Sequence, residues 1–196
     1  MLKIQKEKRD FFMDKLKPFF DDYITSISTW KMAASLESVS TLLAIVDIIH
    51  PETILDLGSG FSSVGFRWYC KEKNYSPKLI SVDTDKEWLT KTSEYCKKFD
   101  LPQYEFSTWE QIKKVKEPFN LVFIDLGYSV DRPSYYDTIF DNFVVKQSVV
   151  VFDDAHKSTC KVGQYIAKIK SKIEVDIKNL TQDNKRYCRL IYKVVR

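Results

Sequence analysis

Four short apolar runs, at residues 53–57, 78–83, 120–125 and 147–153, limit this chain's fold more than any other feature. Each is too short for a helix of its own. Each is rich in β-branched and bulky apolar residues, as a strand buried on both faces must be. A weaker run lies at 103–106. Between the runs are stretches with helix-start chemistry. Thr84 with Glu87, and Thr108 with Gln111, both place a hydroxyl residue three positions before a Glu or Gln, the pattern of a capping box. Strand and helix alternate about five times, which predicts a parallel sheet covered by helices on both faces.

The two ends of the chain differ from this middle. Residues 3–27 carry Phe11, Phe12, Leu16, Phe19, Phe20 and Ile24 on one broad face of an expected amphipathic helix, which Pro18 is expected to break or restart. Residues 35–49 show Val39, Leu42, Leu43, Val46 and Ile49 at helical spacing, closed by "HPE". At the other end "IEVDIKN" and "RYCRLIYKVV" flank the polar stretch "LTQDNK". That arrangement predicts an antiparallel hairpin with no helix between its strands. The expected fold is a Rossmann-like doubly wound α/β sheet of five parallel strands plus a C-terminal antiparallel hairpin, with helices on both faces. Residues 1–30 are expected to form a helical extension or cap on a domain spanning 31–196.

A chain of 196 residues with 44% hydrophobic content can bury a core without a metal or disulfide staple. Cys70, Cys96, Cys160 and Cys188 lie far apart, and His50 and His156 are the only histidines. A structural zinc site is not expected, and free thiols are. The opening "MLKIQKEKRDFF" is charged too densely for a signal peptide, and the longest apolar run, "TLLAIVDIIH", is interrupted by Asp47. The expectation is a soluble cytoplasmic protein without a membrane partner. A net charge of +4 does not by itself call for nucleic acid.

The chemistry-bearing stretch is "TILDLGSGFSS" at residues 53–63. Asp56 stands near the end of the first run, Asp83 ends the second, Asp125 the third, and Asp153 with Asp154 the last. In a parallel sheet these ends share one edge, where ligands bind. Gly58 and Gly60 permit a tight turn and close approach of a ligand. A dinucleotide fingerprint fits less well, since Ser63 stands where its third glycine belongs.

The "DLGSG" turn together with Asp83 resembles motif I of the class I S-adenosylmethionine-dependent methyltransferases. The segment "WKMAASLES" is similar to the catechol O-methyltransferase-like branch, where a short stretch folds over the cofactor. The resemblance covers roughly residues 30–196. It implies S-adenosylmethionine as cofactor, with Asp56, Gly58, Ser59 and Gly60 on its methionine part and Asp83 with Thr84 on the ribose. Ser107, Thr108 and Trp109 would then flank the adenine, Asp125 would join the cofactor site, and Met32, Ala33 and Glu37 are candidates for the covering stretch. By position Asp125, Asp153 and Asp154 match an acidic set that binds a divalent metal such as Mg²⁺ in that branch.

Methyl transfer requires alignment of the acceptor and removal of its proton. Asp125, Asp153 and His156 are the candidate catalytic residues, and Arg132 and Tyr128 can orient a polar substrate. The expected acceptor is an oxygen or nitrogen of a small molecule. A nucleic-acid or protein methyltransferase is the alternative. "DLGY" at 125–128 has the end spacing of the Asp-Pro-Pro-Tyr motif but lacks both prolines. A catalytically degenerate cofactor-binding protein is a third reading. The aromatic N-terminal helix is available to cap the pocket or to form a homodimer face.

Overall fold

The computed structural model describes residues 2–193; Met1 of the N-terminal extension and Val194 and Val195 of the final apolar run lie outside the described residues. Seven strands form one sheet: β1 (Thr53–Leu57), β2 (Lys78–Asp83), β3 (Glu105–Thr108), β4 (Phe119–Ile124), β5 (Val144–Phe152), β6 (Lys172–Val175) and β7 (Arg189–Lys193). Their order is β3-β2-β1-β4-β5-β7-β6. The first five run parallel to one another, and β7 runs antiparallel between β5 and β6. The expected five parallel strands and closing hairpin are present. The order reverses between β1 and β4, and such a switch point opens a crevice at the carboxyl ends of the strands.

Both sheet faces are apolar because alternate residues point opposite ways. Ile54, Leu121, Phe123, Val149 and Val151 face one layer. That layer holds α1 (Lys6–Ser26), α2 (Leu36–Ile49), α3 (Phe61–Lys73) and α4 (Lys86–Lys98). Leu55, Leu57, Val122, Ile124, Val150 and Phe152 face the other. There lie α5 (Trp109–Ile112), α6 (Tyr136–Asn142) and α7 (Val162–Lys168). Helix α1 is packed into the first layer through Phe12, Leu16, Phe20 and Tyr23.

Three local expectations are corrected. Pro18 neither breaks nor restarts α1, which runs on through it. Pro18 and Asp14 are both exposed, so water can answer the Asp14 carbonyl that loses its N–H partner, and burial of the aromatic face offsets the loss. The cap of α4 is Asp85, not Thr84: Asp85 Oδ1 accepts from Glu87 N at 2.8 Å and Trp88 N at 3.3 Å. Between the hairpin strands lies a one-turn helix, α8 (Lys178–Thr181), where no helix was expected. It is tied down by Thr41, whose hydroxyl donates to Leu180 O at 3.0 Å. The Thr108–Gln111 capping box is formed as expected.

Candidate active site

A cavity of about 680 Å³ opens at the carboxyl edge of the sheet, a volume in the range of small-molecule sites. Strand-end hydrogen bonds build its floor. Gly58 N and Ser59 N donate to Val82 O at 2.8 and 3.0 Å, Asp125 N to Leu57 O at 2.6 Å, and Asp153 N to Ile124 O at 3.0 Å. The strand ends thus present Asp83, the last residue of β2, and Asp125 and Asp153, each one residue beyond its strand, along one edge.

The glycine turn works in two different ways. Gly58 has φ +108°, and a Cβ there would stand 2.5 Å from the Asp125 carbonyl oxygen. Its glycine is required by the neighbouring strand end, not by ligand space. Gly60 is extended, and a Cβ there would meet nothing closer than the Tyr23 hydroxyl at 3.8 Å and Trp88 Nε1 at 3.9 Å. The missing side chain at Gly60 leaves open room on the cavity wall.

Asp56 does not line the cavity. It is fully buried, and its carboxylate accepts from Ser62 Oγ at 2.7 Å, Ser81 Oγ at 2.9 Å, and Ser63 Oγ. Burial pushes its carboxyl up, opposed by those three donors and by nearby Arg67. Arg67, itself fully buried, donates to Ser81 Oγ at 2.8 Å and Ser63 O at 3.1 Å and lies over the Phe106 ring. This polar knot fastens the start of α3 beneath the glycine turn.

Asp83, Thr84, Asp85 and Trp88 line the cavity on the β2 side. Asp83 Oδ1 accepts from Asp85 N at 3.0 Å. The backbone N–H groups of Thr84 and Ser59 also act on this carboxylate, which lines the cavity. Burial raises its pKa to about 6. Ser107, Thr108 and Trp109 are not brought to this cavity. Trp109 is buried in the second core layer, edge-on to Tyr135 at 5.2 Å. Thr108 is engaged with Gln111 Oε1, its Oγ1 donating at 2.8 Å, and the Ser107 hydroxyl lies 3.5 Å from the same oxygen. The indole that does face the cavity is Trp88. Its sequence signal was an aromatic one helical turn after a strand-ending acid, at the third position of the helix that Asp85 caps.

Lys31, Met32, Ala33 and Ala34 border the opening, while Glu37 does not. Arg186 pins this strap, donating through Nη1 to Trp30 O at 3.1 Å and Ala33 O at 3.0 Å. Nothing in the sequence pattern marked Arg186 or Lys157, both of which reach the cavity.

Tyr128 and Arg132 line the far end with Asp125, Asp153 and Asp154. Arg132 forms an ion pair with Asp125 through Nη2, and its Nη1 lies 3.2 Å from Asp154 Oδ2. Lys157 Nζ is 2.7 Å from the same Asp154 oxygen. Among the described residues Asp153 has no ion pair; it accepts from the Cys188 thiol at 3.2 Å. Burial raises the pKa of both Asp125 and Asp153; Arg132 opposes this and neighbouring carboxylates add to it.

Two expectations change here. His156 does not line the cavity: its Nδ1 is buried without a hydrogen-bond partner, 3.8 Å from Asp154 Oδ1. Burial also lowers its pKa. The expected Mg²⁺ set of Asp125, Asp153 and Asp154 does not fit an ion as it stands, because the Arg132 guanidinium lies between two of its members. Among the described residues, no group of three or more His, Cys, Asp or Glu side chains is arranged to hold a metal.

No family model matches the chain, and no curated protein does. Solved structures match closely in shape. An S-adenosylhomocysteine-bound methyltransferase from Podospora anserina, PaMTH1, is 13% identical with TM-score 0.73, covering 100% of this chain and 99% of that one. The O-methyltransferase TomG from Streptomyces achromogenes, solved with S-adenosylmethionine, is 15% identical with TM-score 0.66, covering 97% and 91%. An O-methyltransferase from Bacillus cereus solved with S-adenosylhomocysteine is 14% identical with TM-score 0.66, covering 94% and 91%. The chain has the fold of the class I S-adenosylmethionine-dependent methyltransferases. Two of the similar structures are described as O-methyltransferases.

Proposed function

We propose that the protein is an S-adenosylmethionine-dependent methyltransferase acting on an oxygen or nitrogen of a small molecule. The observation that carries this reading is convergence on one cavity of the glycine turn, the carboxylate of Asp83 and the indole of Trp88. A carboxylate oxygen suits a vicinal diol, an indole suits an adenine face, and the room at Gly60 suits an amino-acid portion. When bound, S-adenosylmethionine would supply a methyl group activated on a sulfonium, with S-adenosylhomocysteine as the leaving group when the acceptor's lone pair takes the methyl carbon.

This chain's residues perform the remaining tasks. Asp83 would hold the ribose and Trp88 the base, while Asp56 fixes the turn beneath them. Asp153 lines the cavity with no cation bonded to it, and its raised pKa suits a general base. It takes the acceptor's proton, while Asp125 and Asp154 are held by Arg132. Lys31 and the exposed side chains of Met32, Tyr128 and Val130 form the entrance for an acceptor with an apolar body.

The test is methyl transfer from radiolabelled S-adenosylmethionine to panels of phenols, amines, nucleic acid and protein. Labelling of small acceptors, lost in a folded Asp153→Asn variant, is expected. Labelling confined to nucleic acid or protein would replace the small-molecule reading with the macromolecular one.

A further inference from the structure

The cation at the strand-end carboxylates belongs to the chain itself. Arg132 is 5% exposed, and the turn that carries it is closed by Arg132 N and Asp131 N, which donate to Tyr128 O at 3.2 and 2.9 Å. Gly127, at φ +62°, lets the loop double back. The guanidinium then bridges two strand ends: Nη2 pairs with Asp125 after β4 and lies 3.4 Å from Gly127 O, and Nη1 reaches Asp154 after β5. Lys157 takes a further share of Asp154. A planar fork can meet two carboxylates at once, which a point charge cannot do with the same directionality.

We propose that Arg132 is the resident cation of this site, occupying the place among Asp125, Asp153 and Asp154 that the resemblance assigns to a divalent ion. An entering ion would have to displace a buried guanidinium from two carboxylates, or sit beside its charge. Both arrangements are unfavourable where solvent is excluded. The guanidinium therefore answers Asp125 and Asp154 without recruiting metal. For the acceptor, which rests on the methyl-transfer reading, chelation through paired hydroxyls brings no advantage, so a lone hydroxyl or amine is as suitable as a catechol-type diol.

Mn²⁺ tests this directly, and its binding is independent of whether methyl transfer occurs. Electron paramagnetic resonance of the wild-type chain titrated with Mn²⁺ should show the ion free in solution, and millimolar Mg²⁺ should leave the melting temperature unchanged. In Arg132→Gln, Asp125 and Asp154 lose the guanidinium that bridges them, leaving room beside Asp153, so Mn²⁺ should bind and raise the melting temperature by linkage. Arg132→Lys, which keeps the charge, should still exclude the ion. Stoichiometric Mn²⁺ binding by the wild type, lost in Asp154→Asn, would overturn the proposal. So would a folded Arg132→Gln protein that remains indifferent to Mn²⁺. Should Arg132→Gln fail to fold, the wild-type titration alone decides against or for a resident metal.

Discussion

A Cβ placed on Gly58 would stand 2.5 Å from the carbonyl oxygen of Asp125. The turn after β1 and the strand end of β4 are thus in backbone contact, and the two halves of the cavity share one wall. Gly58→Ala should destabilise the fold by about 1–3 kcal/mol, through overpacking and a left-handed φ that alanine tolerates poorly. Gly60→Ala meets only ordinary contacts. It should leave the melting temperature nearly unchanged while weakening cofactor binding. Parallel urea melts and binding titrations of the two variants check this; equal loss of stability in both would contradict it.

Asp83→Ala should weaken cofactor binding by about 2–4 kcal/mol, taking charge-assisted hydrogen bonds at roughly 1.5–3 kcal/mol each with incomplete additivity. Because burial disfavours the ionised carboxylate, Asp83→Asn should be as stable as the wild type or more so at neutral pH. Differential scanning calorimetry reads the stability and titration calorimetry the affinity. A strongly destabilised Asp83→Asn would show that the carboxylate supports the fold instead.

The pKa of Asp83 gives affinity and stability opposite pH dependences. Its carboxyl is raised from 3.8 to about 6 in the folded chain. Its contribution to stability is therefore fully present below about pH 4 and lost as pH rises through about 6. A diol bound to the carboxylate favours the ionised form, so affinity moves the other way. Below about pH 6 the dissociation constant should rise by up to about tenfold per pH unit, with proton release on binding. Titrations in buffers of different ionisation enthalpy measure that proton directly. Flat affinity across this window would remove Asp83 from the ligand contact.

Arg67 offers a test of the buried knot under the glycine turn. Arg67→Met removes the donors to Ser63 O and Ser81 Oγ and leaves Asp56 without its nearby cation. A loss of about 3–5 kcal/mol is expected, the usual result of stripping a buried charge of its partner. Arg67→Met paired with Asp56→Asn should recover part of it. If the double variant were no more stable than the single one, the two groups would not be coupled.

The central strands were legible in the sequence because β1, β2 and β4 are apolar on both faces, so each shows as a nearly unbroken run. Residues 53–57 and 78–83 match β1 and β2 end to end. Residues whose role is set by distant partners were not legible. Trp109 looked available for stacking, but the second core layer claims it. Trp88, which faces the cavity, was hidden in a helix whose capping residue had been placed one position early. Arg132 was visible as a loop cation, yet its bridge between Asp125 and Asp154 depends on how two strand ends lie side by side. His156 was adjacent in sequence to the right acids, but its side chain does not reach the cavity. α8 escaped notice because tertiary contact with Thr41 stabilises a single turn that has little helical propensity of its own.

Titration calorimetry with S-adenosylhomocysteine tests the central reading most directly, since it needs no knowledge of the acceptor. One site per chain is expected for the wild type, with binding strongly weakened in Asp83→Ala at an unchanged melting temperature. Binding of NADH, with no heat from S-adenosylhomocysteine or S-adenosylmethionine, would contradict it.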